Sequence, residues 1–440
     1  MKQVLYVAFT ILLFFPILSI AGTLAIYDDT ALLQESLVSD APATHIQIST
    51  PMSVIPDSLS FLATGILLEE YTFHPAEKLS EDEILDRSLG KVIHILSNGN
   101  YLAGKLLSIE GGHFIIRSGV SVYVLPRSTF YVNLPDISNV DQNAYFDVKL
   151  RKPIKLFPYS YQMNGISWQA LYTLHVLDES RGLLSAMYSI DNKTDKTFKD
   201  VNCILFSGKI YTTKNMGYRP SEKGIGIMKT ESISPGLSPK GIGGYYLYPL
   251  EGKITLPSNE NIYREFMSPR IVKLAKKYTF DFGWDYGTRT FVNADMTYII
   301  SNDEKSSLYL PFPEGQFKIY RKMKNTDILL GEVNIDDISR GEEVKLRYGK
   351  AYDILAGKWI KEKRKITKNH YMETIGFTVK NNTNAKVTVE IHDEIPLSAN
   401  IMHVSNNVKY KRASANECVF FIPVKEKGEF SFTYGVDFTY

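Results

Sequence analysis

WQALYTLHV (residues 168–176), LLSAMYSI (residues 183–190) and VNCILF (residues 201–206) decide the fold class of this chain. In each, apolar residues recur at every second position or run unbroken, as strands do and helices do not. Between the second and third lies Asp191-Asn192-Lys193-Thr194-Asp195, a polar cluster rich in the residues that make turns. Its oxygens would also suit calcium, but the ligand spacing of an EF-hand loop, with its closing Glu, is absent. Trp168, Ala170 and Tyr172 share one strand face by the period of two. A large-small-large face packs well against a second sheet, so these three residues are expected in a sandwich core.

Working outward, turn signals recur every 8–12 residues or so, the spacing of an all-β chain. The expected fold is a multi-domain β-sandwich with a small SH3-like or Sm-like barrel insert. Residues 22–75 read as an N-terminal β segment. Ser80 and Glu83 form a capping-box pair ahead of a short helix. Five short strands follow over residues 90–134, with Asn98-Gly99 as the strongest hairpin signal and Pro126-Arg127-Ser128 as a corner. That places a barrel with its helical linker at 76–136, a sandwich domain at 137–290 and a C-terminal β domain at 291–440. In the last, residues 373–379 and 386–392 flank Asn381-Asn382-Thr383-Asn384 and are expected to form an Ig-like hairpin. Residues 212–244 are rich in Gly, Pro, Ser and Lys and read as a loop; no G-x-G-x-x-G is completed there.

The chain opens with Lys2 and an apolar run over residues 4–20, closing on Ser19-Ile20-Ala21. This is the form of a secretory signal cleaved before Gly22. The run is shorter than the roughly 20 residues that span a bilayer; an uncleaved anchor is the alternative. Residues 1–21 are therefore expected to be a signal peptide, and the protein exported, periplasmic or extracellular, with membrane association left open.

The 440 residues are 44% hydrophobic and 22% charged, ordinary for folded protein but too long for one core. A net charge of +2 leaves no electrostatic footprint for nucleic acid. An exported compartment permits a disulfide between Cys203 and Cys418. Each also sits in an apolar run where free Cys acts as a small hydrophobe, and both readings stay open.

Eight histidines are spread through the chain, no two within five positions, so no H-x-x-x-H zinc pair exists. There is no G-x-S-x-G elbow and no P-loop. Asp393 and Glu394 are adjacent and so face opposite sides of a strand. No catalytic, cofactor-binding or metal-ligating residue is assigned, and no cofactor is expected. Lys361, Lys363, Arg364 and Lys365, beside Trp359, are candidate contacts for an anionic surface. They also read as a solvated loop, or as edge-strand lysines that block aggregation. Phe430, Phe432, Tyr434, Val436, Phe438 and Tyr440 alternate to a terminal Tyr, as in a sandwich or in the closing strand of an outer-membrane barrel. Lys345, Arg347, Lys386 and Glu390 interrupt any continuous lipid-facing side.

Gly165, Ser167, Trp168, Ala170 and Tyr172, followed by Asn192, Thr194, Phe198, Asp200 and Val201, resemble the opening of a widespread exported domain of unknown function. That domain is shared with mucoidy-inhibitor-A-like proteins. YYLYPLEGKITLP (residues 245–257), LPFPEGQFKIYRK (310–322), LLGEVNI (329–335), YGKAYDI (348–354) and TVKNNTNAKVTVEIHDEIP (378–396) continue the resemblance in order, over residues 147–440 or so. It implies an all-β, envelope-associated protein and supplies no catalytic residues. The chain lacks the long coiled-coil insertion of the mucoidy-inhibitor pattern; the small barrel stands there instead. The expected function is non-catalytic binding or scaffolding in the cell envelope, with envelope proteins or polysaccharide as partners. An outer-membrane β-barrel and a carbohydrate-active hydrolase are the alternatives.

Overall fold

The structure, a computed structural model, describes residues 18–76, 81–97, 100–126, 131–133, 143–208, 240–242, 245–284, 290–306, 308–324, 326–397 and 399–439. Strand makes up 73% of the described residues and helix 3%, so the fold is all-β. Residues 1–17, Ser80, Asn98-Gly99, Arg127-Ser128 and most of the Gly-rich stretch lie outside the described residues.

In chain order, β1 (Leu18–Ile26) and β2 (Thr30–Thr50) are followed by β3 (Ser60–Phe61) and β4 (Leu68–His74). The boundary expected at Ala21–Gly22 falls inside β1, which pairs along β2 from Leu18↔Val38. Helix α1 (Glu81–Asp86) then leads into β5 (Val92–Ser97), β6 (Asn100–Glu110), β7 (His113–Ser118), β8 (Ser121–Pro126) and β9 (Tyr131–Asn133). These form one five-stranded sheet, ordered β8-β7-β6-β5-β9, so the fifth strand returns beside the first. Leu85 of the helix packs with Ile93, Ile95, Leu106, Phe114 and Ile116 in a core of their own.

The chain re-enters the main body through β10 (Ala144–Asn164), β11 (Ile166–Val176), β12 (Arg181–Asn192) and β13 (Phe198–Ser207). Then come β14 (Lys240–Ile242), β15 (Tyr245–Leu256), the long β16 (Glu260–Phe282), β17 (Phe291–Ile300), β18 (Gly315–Met323) and β19 (Thr326–Ile335). The last are β20 (Val344–Lys365), β21 (His370–Asn381), β22 (Val387–Glu394), β23 (Asn400–Val404), β24 (Lys409–Ser414), β25 (Glu417–Val424) and β26 (Gly428–Thr439). An eight-stranded sheet runs β14-β15-β13-β1-β2-β10-β3, with β4 also on β10. The remaining strands form one thirteen-stranded sheet that folds over on itself around further cores.

Sheets do not follow the segmentation expected at 75, 137 and 290. Strands from residues 18–74 share a sheet with β10 and β13, and β16 pairs with β17 across residue 290. The expected hairpin at residues 381–384 is also corrected: β21 pairs with β20 and β26, whereas β22 pairs with β16 and β25. The Asn-rich turn is an arch that carries the chain from one face of a sandwich to the other. The turn at residues 191–195 is a second arch, since β12 and β13 lie in different sheets.

The two arches are built alike. Asn192 Nδ2 donates to Lys196 O at 2.9 Å, and its Oδ1 accepts from Thr194 N and Oγ1. Asn381 Nδ2 donates to Ala385 O at 2.8 Å, and its Oδ1 accepts from Thr383 N and Oγ1. Each Asn also reaches the far side of its sandwich, Asn192 at Leu256 O and Pro257 O, Asn381 at Lys425 O. Both are fully buried, so each donor and acceptor needs its partner. The strands around the arches match as well. β11·β12, β12·β16 and β13·β15 are antiparallel, with β13 parallel to β1. β20·β21, β21·β26 and β22·β25 are antiparallel, with β22 parallel to β16. The main body therefore contains one strand plan used twice. β16 closes the first sandwich with its early residues and opens the second with its late ones.

Candidate functional site

A polar cleft of about 510 Å³ opens where the eight-stranded sheet meets β11. Its position follows from strand lengths. β18 begins at Gly315, opposite Ala170, so among the described residues no strand lies beside the edge of β11 before Ala170. An added Cβ on Gly315 would come within 2.0 Å of Ala170 O, and only glycine lets the two backbones meet there. Gly165, at φ +84°, turns the chain from β10 in one sheet to β11 in the other.

Ser167, Trp168 and Gln169 on β11, with Ser189 and Asp191 on β12, form one side of the cleft. Asp28, from the turn after β1, and Phe206 to Gly208, at the end of β13, form another. Glu314, Asn334, Asp336 and Asp337 complete it. Asp337 Oδ1 accepts from Ser207 Oγ at 2.7 Å and from Glu314 N at 2.8 Å, which pins the acidic loop against β13. Lys193 is the cleft's one cation in this lining and lies 3.0 Å from Asp191. The lining is thus rich in carboxylates, amides and hydroxyls around one indole. Among the described residues, no group of three or more His, Cys, Asp or Glu is placed to hold a metal ion.

Ala170 and Tyr172 are fully buried, and Tyr172 Oη donates to Pro313 O at 2.8 Å. Burial pushes the Tyr172 phenol well above its ordinary range. Trp168 is only half-buried. It packs edge-on against Tyr188, 5.7 Å between ring centres, and its Nε1 donates to Phe206 O at 3.2 Å. It serves the core and the cleft wall together, a double role that a period-two pattern does not distinguish.

The basic run lies on β20, not in a loop. β17 stops pairing at Phe291↔Gly357, so among the described residues only β21 flanks the strand from Lys358 onward. Lys363 pairs with Glu373 at 2.6 Å and Arg364 with Glu362 at 2.6 Å. Lys363 and Lys365 both lie over the Tyr371 ring. Lys361 is exposed, at a register shift between Ile360 and Glu362. Carboxylates interleave the cations, which makes a mixed edge. Trp359 is half-buried, and its indole lies 2.5 Å from where a Cβ on Gly376 would stand.

Cys203 and Cys418 are both free and buried, in different cores. The alternating face of β26 points inward: Phe432, Tyr434, Val436 and Phe438 are all buried.

Two features escaped the sequence reading. The cleft is assembled from seven separated segments, and no local signal joins them. The second feature is a buried ion pair between Lys358 and Asp393, with the Tyr434 hydroxyl on the other carboxylate oxygen. A signal for this one does exist. Val387, Val389, Ile391 and Asp393 share a strand face, and a lone acid on an apolar face demands a buried partner.

No family model matches the chain, and no characterised protein matches it.

Proposed function

We propose that this protein is an exported, non-catalytic binding module of the cell envelope, and that the cleft beside Trp168 holds its ligand. The cleft's polar lining around a half-buried indole carries this reading. An aromatic face with convergent hydroxyl, amide and carboxylate groups suits a ring with many hydroxyls, as in a polysaccharide. Five carboxylates against one lysine favour an uncharged or amino-substituted sugar over an anionic one. The basic, apolar and small-residue order of residues 2–21 supports export. The resemblance of residues 147–440 to an exported envelope domain agrees with it.

The test is a tryptophan-fluorescence titration of the mature protein with neutral, amino-substituted and acidic oligosaccharides. A saturable change with the first two, lost in Trp168→Phe and in Asp191→Ala, is expected. No saturable change with any of them would overturn the reading. Shortened oligosaccharides after incubation would replace it with hydrolysis.

A further inference from the structure

The second sandwich buries an ion pair where its sister is apolar. Lys358 stands opposite Phe377, four residues before Asn381, as Ala170 stands opposite Tyr188, four before Asn192. Tyr434 pairs with Ile375 as Met267 pairs with Ala186, each six residues before its Asn. Asp393 follows Asn381 by twelve residues. Leu205 follows Asn192 by thirteen, the extra one lying at the register shift between Phe198 and Val201. All six residues are buried. The strand plan therefore tolerates Ala, Leu and Met at positions where the second sandwich has Lys, Asp and Tyr.

We propose that Lys358 and Asp393 become joined by an intramolecular amide bond, formed by loss of water once the second sandwich has folded. The parts are in place for it. Lys358 Nζ touches Asp393 Oδ1, and neither side chain has any exposure. Tyr434 Oη donates to Oδ2, and Gly283 O accepts from Nζ at 3.2 Å. The Trp284 and Phe377 rings lie over Nζ, each 5.7 Å away. The nearby carboxylate of Glu373 is already engaged by Lys363.

The step balances without a co-reactant. A proton passes from Nζ to Oδ1, leaving a neutral amine beside a carboxylic acid. The amine lone pair adds to Cγ, and the negative charge that develops on Oδ2 meets the Tyr434 hydroxyl, as a donor in an oxyanion hole does. A second proton moves from nitrogen to Oδ1, the Cγ–Oδ1 bond breaks and water leaves. The third proton remains as the amide N–H, facing Gly283 O. Burial favours both the first transfer and the outcome. It lowers the Lys358 amine to about 8 and raises the Asp393 carboxyl to about 6. Two buried charges are costly, and the amide replaces them with a neutral group. The bond would tie β20 to β22 across the two faces of the sandwich.

Mass spectrometry of the full chain, purified folded and then denatured, tests this. The expected mass is one water below that of the sequence from its observed N-terminus. A tryptic digest should hold a branched peptide with Lys358 joined to Asp393. Lys358→Arg and Asp393→Ala should each restore the full mass. A parent chain at full mass, with Lys358 and Asp393 on separate linear peptides, would overturn the proposal, and this measurement needs no variant to fold. Tyr434→Phe should slow the appearance of the branched peptide after refolding; an unchanged rate would remove Tyr434 from the step.

Discussion

Asn192 and Asn381 stand at the same bend of two sandwiches, yet the interiors beyond them differ. The first sandwich is apolar at Ala170, Leu205 and Met267 and leaves a polar cleft at its edge. The second has Lys358, Asp393 and Tyr434 at those positions and places its polarity inside. The arches differ too: Lys196 of the first reaches Ser49 O and Tyr161 Oη, where the second has Ala385. What the pair shares is the buried Asn, its Thr and the strand order around them. Those are the parts the architecture requires, and the interior polarity is free to serve something else.

The sharpest way to separate the sandwiches is Asp393→Ala. It leaves the Lys358 ammonium buried without its carboxylate, at a cost of about 3–5 kcal/mol. The triple change Lys358→Met, Asp393→Leu and Tyr434→Phe imitates the first sandwich and should recover most of that loss. Urea melts of the full chain compare them; equal midpoints for the single and triple variants would show that no buried charge is left uncompensated.

A smaller effect tests the two half-buried indoles. Trp168→Ala removes packing on Tyr188 and Tyr248 together with the bond to Phe206 O, and should cost about 3 kcal/mol. Trp359 stands in a charged run and would read as dispensable, but it covers Gly376. Its replacement by Ala should cost about 1–2 kcal/mol. The same denaturant melts rank them, and a larger loss at Trp359 would reverse the reading.

The finest test is of the arches themselves. Asn192→Ala and Asn381→Ala each remove several buried hydrogen bonds worth about 1 kcal/mol apiece. Both should destabilise by about 2 kcal/mol. Asn192 should lose slightly more, because its amide serves three carbonyls and that of Asn381 serves two. If hydrogen exchange slows or quickens at one arch alone, the equivalence of the two fails.

Strand character was legible because it is local. WQALYTLHV and the run ending in Asp393 alternate by the geometry of an extended backbone, whatever lies across from them. The all-β class and the shared face of Ala170 and Tyr172 follow from that period, and the five-stranded insert from the period together with its turn residues. The Asn-x-Thr turns were equally visible, but not the faces they connect. A bend that joins paired strands and one that crosses between sheets use the same residues. Only the tertiary structure decided that β22 lies beside β16 and β25, that Lys358 meets Asp393, and that seven segments converge on one cleft. Those contacts join residues far apart in sequence. They are set by which sheets cover one another, and alternation along a single strand carries no record of its partner.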